Sequence, residues 1–356
     1  MVNKIKISIG MIVLNGEPFI KYNLENLYPH AHEILIVEGA VQKFKHAATS
    51  DGHSLDSTVR IIKEFPDPEK KIKLIQNEGF WPEKDEMSNA YMACCTGDYI
   101  WQIDVDEFYK SEDIEKVRKF LEENPDATRI DIQTINFWHG FKAVIQGASY
   151  CFGADRFRRI FKYKPGYRYL THRPPTVIDG GGNICCDARV VTAEELVDRF
   201  NVYMFHYSYV FEEGVRSKVD YYARMGWGAG CEDGKKWVEI SWLRLANPLR
   251  VHLIDFPPSW IVPYKGEHPD VIRRMVHDIG FKEDPAIERY LEGKWERFAQ
   301  IGEYICDICK KVKYSQINKF HASVLLLTKL MIPTDFQVSR ADMSILKSVI
   351  RNVGAN

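Results

Sequence analysis

The sequence predicts an α/β fold, an open and mainly parallel sheet with helices on both faces, followed by a helical C-terminal extension. Two observations carry this. The first hundred residues alternate β-branched apolar runs with capped amphipathic stretches four times. The apolar runs are nearly continuous rather than alternating, as expected of strands buried on both faces. A third observation points to function: every run ends in polar residues, and the fourth, "GDYIWQIDVDEFY" (97–109), ends in Asp104, Asp106 and Glu107.

The elements follow in order. "IKISIGMIVLN" (5–15) reads as a buried strand, and Asn15-Gly16-Glu17-Pro18 punctuates it. Pro18 suits the first turn of a helix whose apolar face is Ile20, Leu24, Leu27 and Tyr28. "HEILIVEGAV" (32–41) is a second strand and 42–54 a polar loop. "SLDSTVRIIKEF" (54–65) is a capped helix and "KIKLIQNE" (71–78) a third strand. A helix at 82–96 places Met87, Tyr91 and Cys94 or Cys95 inward, and the 97–103 strand follows. "SEDIEKVRKFLEEN" (111–124) is an amphipathic helix. From 128 to about 210 the pattern reads as β, then a helix at 212–225, an irregular Gly/Trp/Pro-rich stretch to 265, and helix to the end. The expected domains are therefore 1–265, with a nucleotide-binding half (1–110) and an acceptor half (111–265), and an extension at 266–356. That extension packs on the core, dimerises or makes a peripheral membrane contact. Its apolar stretch at 322–332 reads as a core helix.

Composition narrows the function. The 356 residues carry 48 Lys+Arg against 49 Asp+Glu, so no nucleic-acid partner is expected. No stretch reads as a secretory leader or an eighteen-residue apolar span, so a cytoplasmic location, including the inner membrane surface, is expected. The eight cysteines include one lone Cys306-x-x-Cys309, a weak metal signal.

In such sheets ligands bind beyond the carboxyl ends of the strands. Asn15, Glu38, Asn77 and 104–107 all fall there. Clustered acids at the tip of a buried strand need a compensating cation or solvent. Asp-x-Asp suits a hard divalent cation, leaving coordination places for water and diphosphate oxygens. A solvated turn closing the strand is the alternative.

The order "IGMIVLNGEPFI", "ILIVEGAV", "SLDST", Asn89, "GDYIWQIDVDEFY", then "RIFKYKPGYRYLTH" and "VYMFHYSYV" resembles the GT-A-fold glycosyltransferases, especially family 2, over about residues 5–225. The resemblance implies a metal-dependent enzyme moving a sugar from a nucleotide-diphosphate sugar, UDP favoured, to a glycan or glycolipid hydroxyl, with inversion. It implies that Asn15, Glu17, Glu38, Asp56, Lys84, Asn89 and Asp104 border the donor. It also implies that Asp106, Asp104 and His206 hold Mn2+ or Mg2+. The family's usual base, a carboxylate after His, is absent from "GYRYLTHRPP", where Arg173 follows His172. That leaves His172, Asp179 or Glu107 as base, and Arg173 as a phosphate or acidic-acceptor contact. Two other classes remain as rivals: a nucleotide-sugar-binding relative without turnover, supported by the missing carboxylate, and an aspartyl-phosphate phosphatase. The phosphatase fits poorly, since its motif lies near the N-terminus and is not followed by Glu-Phe. A nucleotidyltransferase would need a Gly-rich basic loop after the first strand, and an EF-hand would need Gly where Tyr109 stands.

Overall fold

The computed structural model describes residues 4–145, 156–224, 249–251, 254–256 and 261–291, with 238 and 242. Compact packing divides the chain into two discontinuous units. One is Met1–Lys142, Asp155–Phe211 and Lys265–Glu283; the other is Ala143–Ala154, Glu212–Tyr264 and Asp284–Asn356.

The first unit holds the expected sheet. Its first four strands are β1 (Ile7–Val13), β2 (Glu33–Glu38), β3 (Ile72–Gln76) and β4 (Tyr99–Gln102). Three helices connect them: α1 (Phe19–Leu27), α2 (Thr58–Glu64) and α3 (Lys84–Cys94). β5 (Glu107–Phe108), α4 (Ser111–Glu123) and β6 (Arg129–Trp138) come next. In the second unit β7 (Ala143–Ile145) pairs with a strand at Ile261–Pro263 and Leu249–Val251 pairs with Ile254–Phe256, and the unit also holds helices at Glu212–Arg224 and Pro285–Leu291. The chain re-enters the first unit with β8 (Arg156–Lys162), β9 (Arg168–His172), β10 (Pro175–Ile178), β11 (Val190–Val191) and β12 (Met204–Tyr209).

Strand order is β6-β8-β4-β1-β2-β3. β1, β2, β3 and β4 are mutually parallel, and β8 runs antiparallel between β4 and β6. β12 lies parallel on β6 and antiparallel to β5, setting His206 opposite both Asn136 and Glu107.

Two apolar layers explain the continuous runs. Ile7, Ile9, Met11 and Val13 of β1 share one layer with Ile20, Leu24 and Leu27 of α1 and Val117, Phe120 and Leu121 of α4. On the other face Leu35, Val37, Ile100 and Phe161 pack against Met87, Tyr91 and Met92 of α3. Alternate residues of each strand serve opposite layers. α3 approaches β1 so closely that a Cβ at Gly10 would stand 2.5 Å from the buried Tyr91 ring, so glycine is required there.

Two sequence expectations change. The region 128–210 is not all β: a helix occupies Ala193–Phe200, opened by Thr192, whose hydroxyl accepts from the Glu195 amide at 3.3 Å. Thr-x-x-Glu is a capping signature, and it was legible. The stretch after 226 also contains strands. The expected C-terminal helices begin with Asp270–Asp278, which belongs to the first unit, where Tyr22 donates to Asp278 at 2.9 Å. Beyond 291 the extension, including 322–332 and Cys306-x-x-Cys309, lies outside the described residues. No helix among the described residues is long and apolar enough to cross a membrane.

Candidate active site

The register brings the carboxyl ends of β1 to β4 to one rim. Val13 pairs with Glu38 and Glu38 with Gln76, while Gly10 pairs with Gln102, two residues before Asp104. β4 stops at Gln102, and a turn carries 104–106 to β5.

The compensating cation inside this rim is the chain's own Arg159. Its guanidinium, 4 % exposed, contacts the fully buried Glu107 carboxyl and reaches Asp104 Oδ2 at 3.4 Å. It also lies 5.1 Å from the centre of the Phe157 ring. Arg173, at the turn between β9 and β10, reaches the same Asp104 oxygen at 3.5 Å and stays 39 % exposed. Burial opposes ionisation of Asp104, but Arg159, then Arg173, with Lys84 and His172 adding, hold its carboxyl well below the usual range. Burial pushes Glu107 the other way, to about 8, with Asp104 and Asp106 adding to it against the pull of Arg159. Glu107 Oε2 also accepts from the Asp104 amide at 3.1 Å, closing the turn.

Asp106 faces another set of partners. The Ser208 hydroxyl lies 2.5 Å from Asp106 Oδ2 and 2.7 Å from His206 Nε2, and these two atoms are 3.9 Å apart. The other imidazole nitrogen, Nδ1, is 2.8 Å from Asn136 Oδ1. The hydroxyl donates to Asp106, and the imidazole tautomer decides whether Nε2 donates to it or turns a lone pair towards it. With the ring hydrogen on Nδ1, Nε2 and Asp106 Oδ2 are two electron-rich atoms beside Ser208, which fits a divalent cation drawing its other ligands from water and phosphate. Among the described residues no group of three or more His, Cys, Asp and Glu converges to hold an ion alone. Asp104 is turned to the guanidinium groups, so two protein donors, not three, meet at the Ser208 locus.

Residues 8–179 match the sequence model of glycosyl transferase family 2. That stretch, a little under half of the chain, is similar to the family-2 glycosyltransferases. Curated proteins give no significant match. Among solved structures, S. aureus TarS 1-349 with UDP-GlcNAc aligns at 15% identity over 44% of this chain and 45% of that one, with TM-score 0.32. Glucosyl-3-phosphoglycerate synthase from Mycobacterium tuberculosis with Mn2+, UDP-glucose and phosphoglyceric acid aligns at 16% identity over 38% and 46%, with TM-score 0.27. The chain spans less than half of each of these solved chains, and superpositions this loose fix no residue correspondence.

The remaining expected site residues fall into three groups. Asn15, Glu17, Glu38 and Asp56 form one network at the β1–β2 rim. Asn15, at φ 52°, donates to Ala47 O at 2.8 Å and accepts from Leu55 N at 2.7 Å. Glu17 and Asp56 clasp each other's loops: Glu17 N donates to Asp56 at 2.9 Å and Ser57 N to Glu17 at 2.8 Å. Glu38 is wholly buried and accepts from Ser54 N, Ser54 Oγ, His53 and Gln76 at 2.7–2.9 Å. It anchors the 42–54 loop.

A second group stands on α3. Asp85, Ser88 and Asn89 share one helical face and staple β9. Asp85 accepts from His172 N at 2.6 Å, Ser88 Oγ lies 2.9 Å from His172 Nδ1, and Asn89 exchanges bonds of 3.1 and 2.8 Å with the Tyr169 backbone. Asn89, expected to face the donor, is turned to β9. Lys84, the first residue of α3, is close enough to Asp104 and His172 to act on both charges.

The third group comprises the candidate bases. His172 is 4 % exposed, and burial, reinforced by Lys84 and Arg173, pushes it down to about 3 against Asp104. It is a neutral and weakly basic imidazole at neutral pH. Glu107 is enclosed by Arg159. Asp179 accepts from Gly181 N and Asn183 N, both at 2.9 Å, capping its own turn. That turn follows β10 and lies about 13 Å along the strand from the Arg173 turn, so Asp179 does not converge with Asp104. Sequence reasoning missed Arg159, Asn136 and Ser208. The strand alternation in "RFRRIF" was the only signal for Arg159.

Proposed function

We propose that this rim binds a nucleotide-diphosphate sugar, UDP favoured, and that the domain transfers its sugar to an acceptor hydroxyl on a glycan or glycolipid. One observation carries the reading. Asp104 lies among Arg159, Arg173 and Lys84, while Asp106 and His206 converge on Ser208 beside it. The first set leaves positive charge for a diphosphate; the second offers two donors for a cation. Asp106 and His206 would hold Mn2+ or Mg2+ there, with Asp104 joining through water. A bound dication neutralises the diphosphate and stabilises the leaving group's charge.

The chain's own residues do the rest. Arg173 and Lys84, both partly exposed, are placed to take diphosphate oxygens. Arg159 fixes Asp104 and Glu107 so the turn keeps its shape when the donor arrives. The α3 staples hold β9, and with it Arg173. An inverting displacement needs a base at the acceptor hydroxyl, and inversion is part of this proposal. His172, Glu107 and Asp179 are each engaged structurally, which favours a second reading, a donor-binding relative without turnover. Donor hydrolysis separates them. Incubated with UDP-sugars and Mn2+ without acceptor, an enzyme releases nucleotide diphosphate slowly, and Asp106→Asn stops it. Binding with no release at any donor supports the second reading.

A further inference from the structure

We infer that Asn136, itself held by Thr134, is the positioning residue that sets the tautomer of His206 and makes its Nε2 the lone-pair atom facing Asp106. This rests on the proposed donor and cation site and deepens it. Asn136 stands with Nδ2 donating to Thr134 Oγ1 at 2.9 Å. Oδ1 is therefore the atom presented to His206 Nδ1, at 2.8 Å. A carbonyl oxygen only accepts, so Nδ1 carries the ring hydrogen and Nε2 of the neutral ring is left as an acceptor. Nε2 is the atom 2.7 Å from Ser208 Oγ and 3.9 Å from Asp106 Oδ2.

The sheet imposes this arrangement. His206 of β12 and Asn136 of β6 are register partners on adjacent parallel strands, and Thr134 lies two residues back on the same face of β6. His206 is 5 % exposed, so water cannot substitute freely for the Asn136 carbonyl. A partner on the non-ligating nitrogen orients a metal-binding imidazole, and its removal lowers metal affinity about 10–100-fold. With the opposite tautomer Nε2–H would point at the cation locus and exclude it.

The test reads the ring directly. In metal-free protein with 15N-labelled histidine, at alkaline pH where the ring is neutral, His206 should show a protonated Nδ1 and a lone-pair Nε2. Asn136→Leu should lose that bias and weaken Mn2+ binding, followed by titration calorimetry without donor, about 10–100-fold. Asn136→Asp, which keeps the acceptor, should restore both. A wild-type ring protonated at Nε2, or Asn136→Leu that binds Mn2+ like wild type while folded, overturns the inference. Wild type that binds no Mn2+, with or without UDP, overturns the cation site itself, and the tautomer measurement still stands alone.

Discussion

The Arg159 guanidinium lies against the Glu107 carboxyl with neither group reaching solvent, and the same guanidinium reaches Asp104 at the rim. Removing the guanidinium leaves the Asp104 carboxylate short of its main counter-charge and the buried Glu107 carboxyl without its partner, which costs about 3–5 kcal/mol. Arg159→Met should therefore destabilise the domain by that amount in urea unfolding. Adding Glu107→Gln should recover much of the loss, giving a coupling energy above about 1 kcal/mol in the double-mutant cycle. Additive losses would show that the pair does not act as one unit.

Asn89 tests how α3 is used. Its amide makes two bonds to the backbone of Tyr169, a buried residue. Asn89→Ala should cost about 2–4 kcal/mol of stability, because it leaves a buried amide and carbonyl unmatched. Donor affinity of the folded variant should stay within about twofold, since β9 keeps its bonds to Asp85 and Ser88. A variant of unchanged stability with sharply weakened donor binding would assign Asn89 to the donor instead.

His172 should make the domain more sensitive to acid than a variant that lacks it. His172 is pushed down to about 3 in the fold, while an unfolded histidine takes its proton near its model value of 6.5. The unfolded chain thus binds more protons between these values, so the contribution is fully present above 6.5 and is lost as pH falls towards about 3. Asp104, also depressed, adds a loss of the same sign below its model value of 3.8. Glu107, raised from 4.5 to about 8, acts with the opposite sign between those values and offsets part of this slope, so the His172 share is read as the difference between wild type and a variant, roughly 1.4 kcal/mol for each unit of depression. Chemical denaturation at a series of pH values should show this slope in wild type and a shallower one in His172→Gln. Parallel profiles would place the acid sensitivity elsewhere.

The parallel half of the fold was legible because its signals are local. Continuous apolar runs, Pro18 at a helix start and polar strand ends each sit within a dozen residues. The insertion of antiparallel β8 between β4 and β6 was not, since pairing between strands fifty residues apart leaves no short-range trace. Arg159 was hidden for that reason: alternation sets it apart from Arg158, but only the sheet order shows which face meets the acids. Asp106 and His206 were named from the sequence, and the structure brings them together. Asn136 and Ser208 were not, because a hydrogen bond across adjacent strands depends on register. The spacing of Asp85, Ser88 and Asn89 was visible as one helical face, yet nothing local said that β9 lies under it.

The most direct measurement is calorimetric titration of UDP into wild type and Asp106→Asn, each with and without Mn2+. Mn2+ should tighten UDP binding to wild type about tenfold or more and leave Asp106→Asn unchanged, both proteins being equally folded. UDP that fails to bind wild type, or binding that Mn2+ strengthens equally in the variant, would contradict a diphosphate and cation site at this rim.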